Sequence, residues 1–196
     1  PVPSAWVRRG RTWGFRAPEA VRLDPNYVFS SFSGSLSDNF GYTATYDLQG
    51  RTWLGGTAFG TQFPTQNGLQ ANFGGGGVDI ALMLFNSAGT GIVASTYLGG
   101  TGQEQPHSLR VGPNGDLVVL ATTNSPNFPV SASAYDTSMA LVPGGGTLNG
   151  GGIVFQSPTD LALLRLSPTG SALVAGTYYG RFGYDGLQDV STPHYG

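Results

Sequence analysis

Ser95-Thr96-Tyr97-Leu98-Gly99-Gly100 closes an apolar run of strand length, and its ending recurs along the chain. Leu98-Gly99-Gly100 has a counterpart 66 positions earlier in Phe32-Ser33-Gly34, and another 81 positions later in Tyr179-Gly180-Arg181. Working outward, Asp79-Ile80-Ala81-Leu82 returns as Asp160-Leu161-Ala162-Leu163. Phe63-Pro64 returns as Phe128-Pro129, and the turn glycine Gly50 returns as Gly115. Self-similarity of this length marks a modular array, in which each unit buries its apolar face only against its neighbours.

Each unit carries four apolar runs rich in Val, Leu, Thr and Tyr and bounded by Gly, Pro, Asn and Asp, which is strand chemistry. The runs are 42–46, 52–58, 79–85 and 91–98 in the first unit, and 108–111, 116–122, 160–166 and 171–179 in the second. No stretch keeps a helical period with caps, so the chain is predicted to be all-β. Asp47-Leu48-Gln49-Gly50, Asn86-Ser87-Ala88-Gly89, Gly112-Pro113-Asn114-Gly115 and Ser167-Pro168-Thr169-Gly170 read as tight turns. Each places Gly where a hairpin needs a positive φ. The other connections, 59–78, 123–159 and the links between units, are long. In an antiparallel meander every second connection lies at the same end, so the long loops are predicted to share one rim. Loops on such scaffolds carry most binding function. The second unit is about 15 residues longer, and the excess falls near 143–158. Its Gly triplets suit either a spacer or a mobile binding loop.

Composition narrows the chemistry. Gly makes up 32 of 196 residues, against about 7% in ordinary proteins, as short strands with many turns require. All nine basic residues are Arg. The absence of Lys excludes a P-loop lysine and a Schiff-base lysine. The net charge of −2 speaks against a nucleic-acid surface. Charge is nevertheless uneven: residues 1–26 hold Arg8, Arg9, Arg11, Arg16 and Arg22 against Glu19 and Asp24. That arm belongs to a neighbouring module or docks an acidic partner. With no Cys, disulfides and thiolate metal sites are excluded. No apolar run is long enough to insert into a membrane as a helix. The chain opens on Pro and reads as a piece of a longer polypeptide.

Four meandering strands per unit describe one blade of a β-propeller. The motifs also resemble a family: the Ser95–Gly100 string quoted above, Gly112-Pro113-Asn114-Gly115-Asp116-Leu117-Val118-Val119, Asn124-Ser125-Pro126-Asn127-Phe128-Pro129 and Asp160-Leu161-Ala162-Leu163-Leu164-Arg165-Leu166 are similar to bacterial SBBP-type propeller repeats. Asn39-Phe40-Gly41-Tyr42-Thr43-Ala44-Thr45-Tyr46-Asp47 resembles the version found in large surface proteins of gliding Bacteroidetes, cargo of type IX secretion. The resemblance spans roughly 27–190. It implies an N-terminal arm or preceding module at 1–26, the last strand of a preceding blade at 27–34, a blade at 41–99, a second at 108–180, and the start of a further one at 181–196. A closed ring takes about 4–8 blades, so the chain is expected to be part of a larger propeller whose remaining blades lie outside it. The implied role is a non-catalytic, secreted or cell-surface module for adhesion or recognition of a protein or glycan ligand at the long-loop face. Two alternatives are a cargo segment or accessory subunit of a secretion or gliding-motility assembly, and a glycan-active propeller enzyme. Neither nucleic acid nor membrane insertion is expected.

Asp38, Glu104 and Asp185 each stand six positions after the strand-end residue of their unit. They read either as a ring of carboxylates for a ligand or Ca²⁺, or as acids that bond the backbone of their own loops. Asp79 and Asp160 open third strands and read as loop caps. His107 and His194 lack metal-ligand spacing, and no Gly-x-Ser-x-Gly elbow is present. His107 beside Glu104 is the most plausible polar contact at the rim. Gly89-Thr90-Gly91-Ile92-Val93-Ala94 opens a strand rather than a helix, so it does not read as a dinucleotide loop. Trp53, Tyr42, Tyr46, Tyr97 and Tyr178 read as packing residues, and Phe40, Phe73 and Tyr184 as loop aromatics that pack locally or stack on sugars. No catalytic residue, metal or cofactor is assigned.

Overall fold

The computed structural model describes residues 5–9, 12–16, 30–140, 147–150, 152–180 and 185–186. Most of the arm at 1–26, the Gly144-Gly145-Gly146 run, and most of 181–196, with Tyr184 and His194, lie outside the described residues. What is described is all-β and contains no helix.

Two four-stranded antiparallel sheets make up the body. The first runs in chain order through β3 (Asn39–Tyr46), β4 (Thr52–Ala58), β5 (Asp79–Phe85) and β6 (Ile92–Leu98). The second runs through β7 (Glu104–Val111), β8 (Leu117–Thr123), β11 (Asp160–Leu166) and β12 (Leu173–Tyr179). Both are plain meanders. Two small hairpins complete the fold: β1 (Ala5–Arg9) with β2 (Thr12–Arg16), and β9 (Leu148–Gly150) with β10 (Ile153–Phe155). Neither hairpin was among the expected strands. Each is a short pair inside a segment whose sequence reads as arm or insertion, where no long alternating run announces it.

The eight expected runs all become strands, but β3 and β7 begin three to four residues earlier than the sequence suggested. The reason is a β-bulge at the same place in each. Register slips between Gly41 and Thr43, and again between Pro106 and Ser108. A bulge interrupts the period-2 pattern on which strand reading depends. The four tight turns close as their sequences demand. Gly50, Gly89, Gly115 and Gly170 all have positive φ, between 67° and 83°. Each donates its N–H to the residue three positions back, at 2.8–3.0 Å.

The sheets stack face on face. Trp53, Ile80, Leu82, Leu84 and Leu98 of the first meet Leu109, Leu117, Val119, Ala121, Ala162, Leu164, Leu166 and Tyr178 of the second. Burying a Leu or Ile in such a seam stabilises by about 1.5–3 kcal/mol. Close approach needs Gly55, where a Cβ would fall 2.7 Å from Leu109 Cδ1. Trp53 lies over Gly170 and thereby sets the short-turn end of one sheet against that of the other.

The long connections do not stand free. Residues 60–73 leave the rim and run back along β6, bridging Gln66 to Ser95 and Gln70 to Tyr97. Residues 125–139 do the same along β12, where Ser131 and Gly176 bond at 3.0 Å and Tyr178 N–H reaches the Asp136 carbonyl at 3.1 Å. Each outer strand is thus covered along its edge, where unpaired backbone groups would otherwise be left. One tyrosine pins each loop. Tyr97 Oη accepts from Phe63 N–H at 2.9 Å and donates to the Gly60 carbonyl at 3.0 Å. Tyr178 Oη accepts from Phe128 N–H at 2.9 Å and donates to the Ser125 carbonyl at 2.7 Å. The recurring Phe-Pro pairs are therefore anchor points for the recurring tyrosines.

Candidate functional site

The most elaborate polar structure lies where one unit hands over to the next, at the long-loop end. Residues 99–103 cross from β6 to β7, and 124–129 clamp them from above. Asn127 Oδ1 accepts both the N–H and the hydroxyl of Thr101, each at 2.9 Å. Ser125 Oγ accepts Gly102 N–H at 2.7 Å, and Asn124 N–H reaches the Gln103 carbonyl at 3.1 Å. The Asn124-Ser125-Pro126-Asn127 motif and the Gly99-Gly100 motif thus fit one another. A Cβ on Gly100 would sit 2.6 Å from Asn127 Oδ1 and from Ser125 Cβ.

Beneath the clamp are two carboxyls. Asp79 opens β5 and Glu104 opens β7, and both are fully buried. Glu104 Oε1 accepts from Thr123 Oγ1 at 2.7 Å and from Ser125 Oγ, while Oε2 accepts from Gly100 N–H at 3.3 Å. Asp79 Oδ2 accepts from Gly74 N–H at 2.6 Å and from Gln70 Nε2 at 3.4 Å. Gln70 Oε1 in turn accepts from Gly99 N–H at 3.1 Å. Asp79 Oδ1 has no donor of its own, and a Cβ on Gly99 would fall 2.5 Å from it and 2.6 Å from Glu104 Oε2. Desolvation dominates both groups. It pushes the carboxyl of Asp79 up to about 6 and that of Glu104 up to about 7, against the opposing pull of their hydrogen bonds.

The arrangement repeats at the next handover with the same 25-residue spacing. Asp160 Oδ2 accepts from Ala140 N–H at 2.9 Å, and its Oδ1 likewise has no donor. A Cβ on Gly180 would press on Asp160 and fall 2.9 Å from Asp185 Oδ2. Asp185 N–H bonds the Thr159 carbonyl at 2.8 Å, as Glu104 N–H bonds that of Val78 at 3.1 Å.

Of the expected rim residues, Glu104 and Asp185 therefore occupy equivalent places. Asp38 does not join them. Strand register pairs Asn39 with Ala58 as it pairs Glu104 with Thr123, so Asn39 stands where Glu104 stands, and exposed Asp38 lies one residue before it. A count of six from Phe32 stops one residue short of Asn39, and residues 30–34, the described part of the strand expected at 27–34, form no strand. His107, the extra residue of the β7 bulge, lies half-buried and bonds Thr122 Oγ1 through Nε2 at 2.6 Å. Burial lowers its pKa. Among the described residues no group of three or more His, Asp or Glu converges as metal ligands would.

The insertion is anchored at this end too. Ile153 and Phe155 of β10 bury themselves against Val78, with Phe59 alongside, so a hairpin from the second unit seats on the rim of the first. Phe40 meets Phe59 edge-on, with centroids 5.2 Å apart. Phe73 packs on Tyr97 at 5.7 Å. Sequence reasoning missed the partnership of Asp79 with Glu104. The shared 25-residue spacing of Asp79 to Glu104 and of Asp160 to Asp185 was the available signal. No family model, curated protein or solved structure matches this chain.

Proposed function

We propose that the two sheets are consecutive blades of a β-propeller, and that the chain is a non-catalytic recognition module of a secreted or cell-surface bacterial protein. One observation carries the architectural part. The face by which the first sheet meets the second has its repeat equivalent on the far face of the second sheet, and that face is open. Leu82 is 0% exposed while its equivalent Leu163 is 45% exposed. Val174 and Tyr179 stand exposed on the same side. An apolar repeat face open among the described residues is what a stacking repeat presents to its next unit. The motif resemblance to SBBP-type repeats points the same way.

The recognition part rests on where polar groups are spent. Glu104 and Asp79, the acids best placed for chemistry, are closed off from solvent. The rim that remains available carries Asp38 and half-buried His107 beside anchored aromatic loops, a surface suited to contacting a protein or glycan. The test is binding of the purified chain to glycan arrays and to bacterial surfaces, with product formation followed in parallel. Saturable binding without turnover, weakened by His107→Ala or Asp38→Ala, is the expected result. Glycan cleavage, or binding indifferent to both changes, overturns the reading. The open apolar face of the second sheet favours a second reading, an accessory segment of a secretion or motility assembly. That reading predicts co-purification with a large partner which Leu163→Asp abolishes.

A further inference from the structure

We infer that Asp79 and Glu104 form a proton-binding site that latches one unit to the next, with a single proton shared between Asp79 Oδ1 and Glu104 Oε2. Three observations converge on it. Both side chains are wholly removed from solvent, and among the described residues neither is bonded to a basic residue; the ion pairs there join Asp47 to Arg51 and Asp116 to Arg165. Two uncompensated carboxylates cannot both stay ionised in such a place. Every other oxygen of the pair already accepts from a named donor: Gly74, Gln70, Thr123, Ser125 and Gly100. Asp79 Oδ1 alone lacks a partner, and it faces Glu104 across the point that Gly99 leaves free of a side chain. A proton on Oδ1 supplies the donor, and Glu104 Oε2 accepts it. The pair then carries one negative charge, held by Thr123, Ser125 and Gly100. At the next handover Asp160 Oδ1 likewise has no donor, and a Cβ on Gly180 would abut both it and Asp185 Oδ2.

The other titratable groups near the pair are two tyrosines, one on each side. Tyr97 feels the charge of Asp79, and Tyr178 that of Glu104. Around Asp160 stand Asp185, Asp136 and Tyr178. None is a cation. Acid protonates both carboxyls, and the shared-proton state forms as the first proton leaves; the stabilisation is full below the ordinary carboxyl value of about 4 and is lost as pH rises through the raised values of about 6 and about 7. Folded-state proton uptake exceeds that of the unfolded chain across this window, so stability falls as protons are withdrawn. The two groups titrate as a pair rather than singly.

Asp79→Asn tests the site. Its amide donates to Glu104 without a titrating proton, while its oxygen keeps the Gly74 bond. Thermal unfolding of the full chain is followed for native and variant from pH 5 to pH 9. The variant is expected to gain on the native protein as pH rises, with the difference growing by several degrees. A difference that stays constant overturns the proposal. So does Ca²⁺ raising the native midpoint at high pH while leaving the variant unmoved, since the pair would then be a cation site. If Asp79→Asn does not fold, infrared spectra of the native protein decide. A protonated-carboxyl band that persists at pH 6 and vanishes near pH 8 supports the site, and its absence at pH 6 refutes it.

Discussion

His107 stands in the second sheet where Tyr42 stands in the first. Each is the extra residue of a bulge in the leading strand of its sheet, and each turns toward a threonine of the neighbouring strand, Thr122 for His107 and Thr57 for Tyr42. One repeat position thus holds a neutral phenol in one unit and a titratable imidazole in the next. Burial raises the pKa of Tyr42 and lowers that of His107, so both environments favour the uncharged form.

Acid should therefore loosen the second sheet through His107. The folded-state pKa is depressed, so its stabilisation is present above the ordinary value of about 6.5 and is lost as pH falls through the folded value. His107→Tyr, which installs the residue of the first unit, is expected to remove that loss. Denaturant midpoints at pH 7.5 and pH 5 measure it; an equal drop in native and variant would contradict the assignment. The effect has the opposite sign to that of the acid pair, so the two are separable by pH alone.

Leu82 and Leu163 share a repeat position but not an environment. Leu82→Ala is expected to cost about 2–5 kcal/mol, as other buried Leu truncations do. Leu163→Ala should stay within about 0.5 kcal/mol in the isolated chain. Urea unfolding of the two variants gives the comparison, and equal costs would mean that the second outer face is covered in solution.

Gly99→Ala should destabilise by about 1–3 kcal/mol, because its Cβ has to displace Asp79 and Glu104 from a packed site. Gly41→Ala serves as control, since a Cβ there meets nothing within 4 Å. Differential scanning calorimetry reads both. Similar midpoints for the two would show that the carboxyls yield freely.

Tyr178→Phe removes a hydroxyl that serves two buried backbone groups, Phe128 N–H and the Ser125 carbonyl. Leaving both unpaired is expected to cost about 1–3 kcal/mol. The loop 125–139 should lose protection before the strands do, with hydrogen exchange at Phe128 speeding up first. The native hydroxyl, whose pKa burial pushes up to about 12, should stay protonated past the range of free tyrosine.

Much of the fold was legible because it is local. The turn glycines announce themselves by the positive φ that hairpins need, and strand runs by their composition. The bulges were not legible. A single unpaired residue, Tyr42 or His107, breaks alternation without changing composition, and so the leading strands read short. The candidate site was legible only in its members. Glu104 and Asp185 stand out by their spacing, yet the burial of Glu104 beneath a loop clamp, and the approach of each to an acid 25 residues earlier, Asp79 and Asp160, depend on tertiary contacts. Asp38 was grouped with them by counting, and strand register puts Asn39 in that place instead.

Sequence by itself determined the unit: its period, its four strands, its tight turns, its recurring Phe-Pro pairs and its packing tyrosines. All of these follow from backbone preference and short-range spacing, which are written residue by residue. Tertiary structure decided which copies of a shared pattern are buried. Asp79–Phe85 is enclosed on both faces, whereas Asp160–Leu166 alternates between buried and open positions, although both runs are mostly apolar, six residues of seven in the first and five of seven in the second. The difference lies in the neighbour, since a strand cannot record whether another sheet lies against it. The same holds for the carboxyl pair, whose chemistry arises only when two units close over it and exclude water.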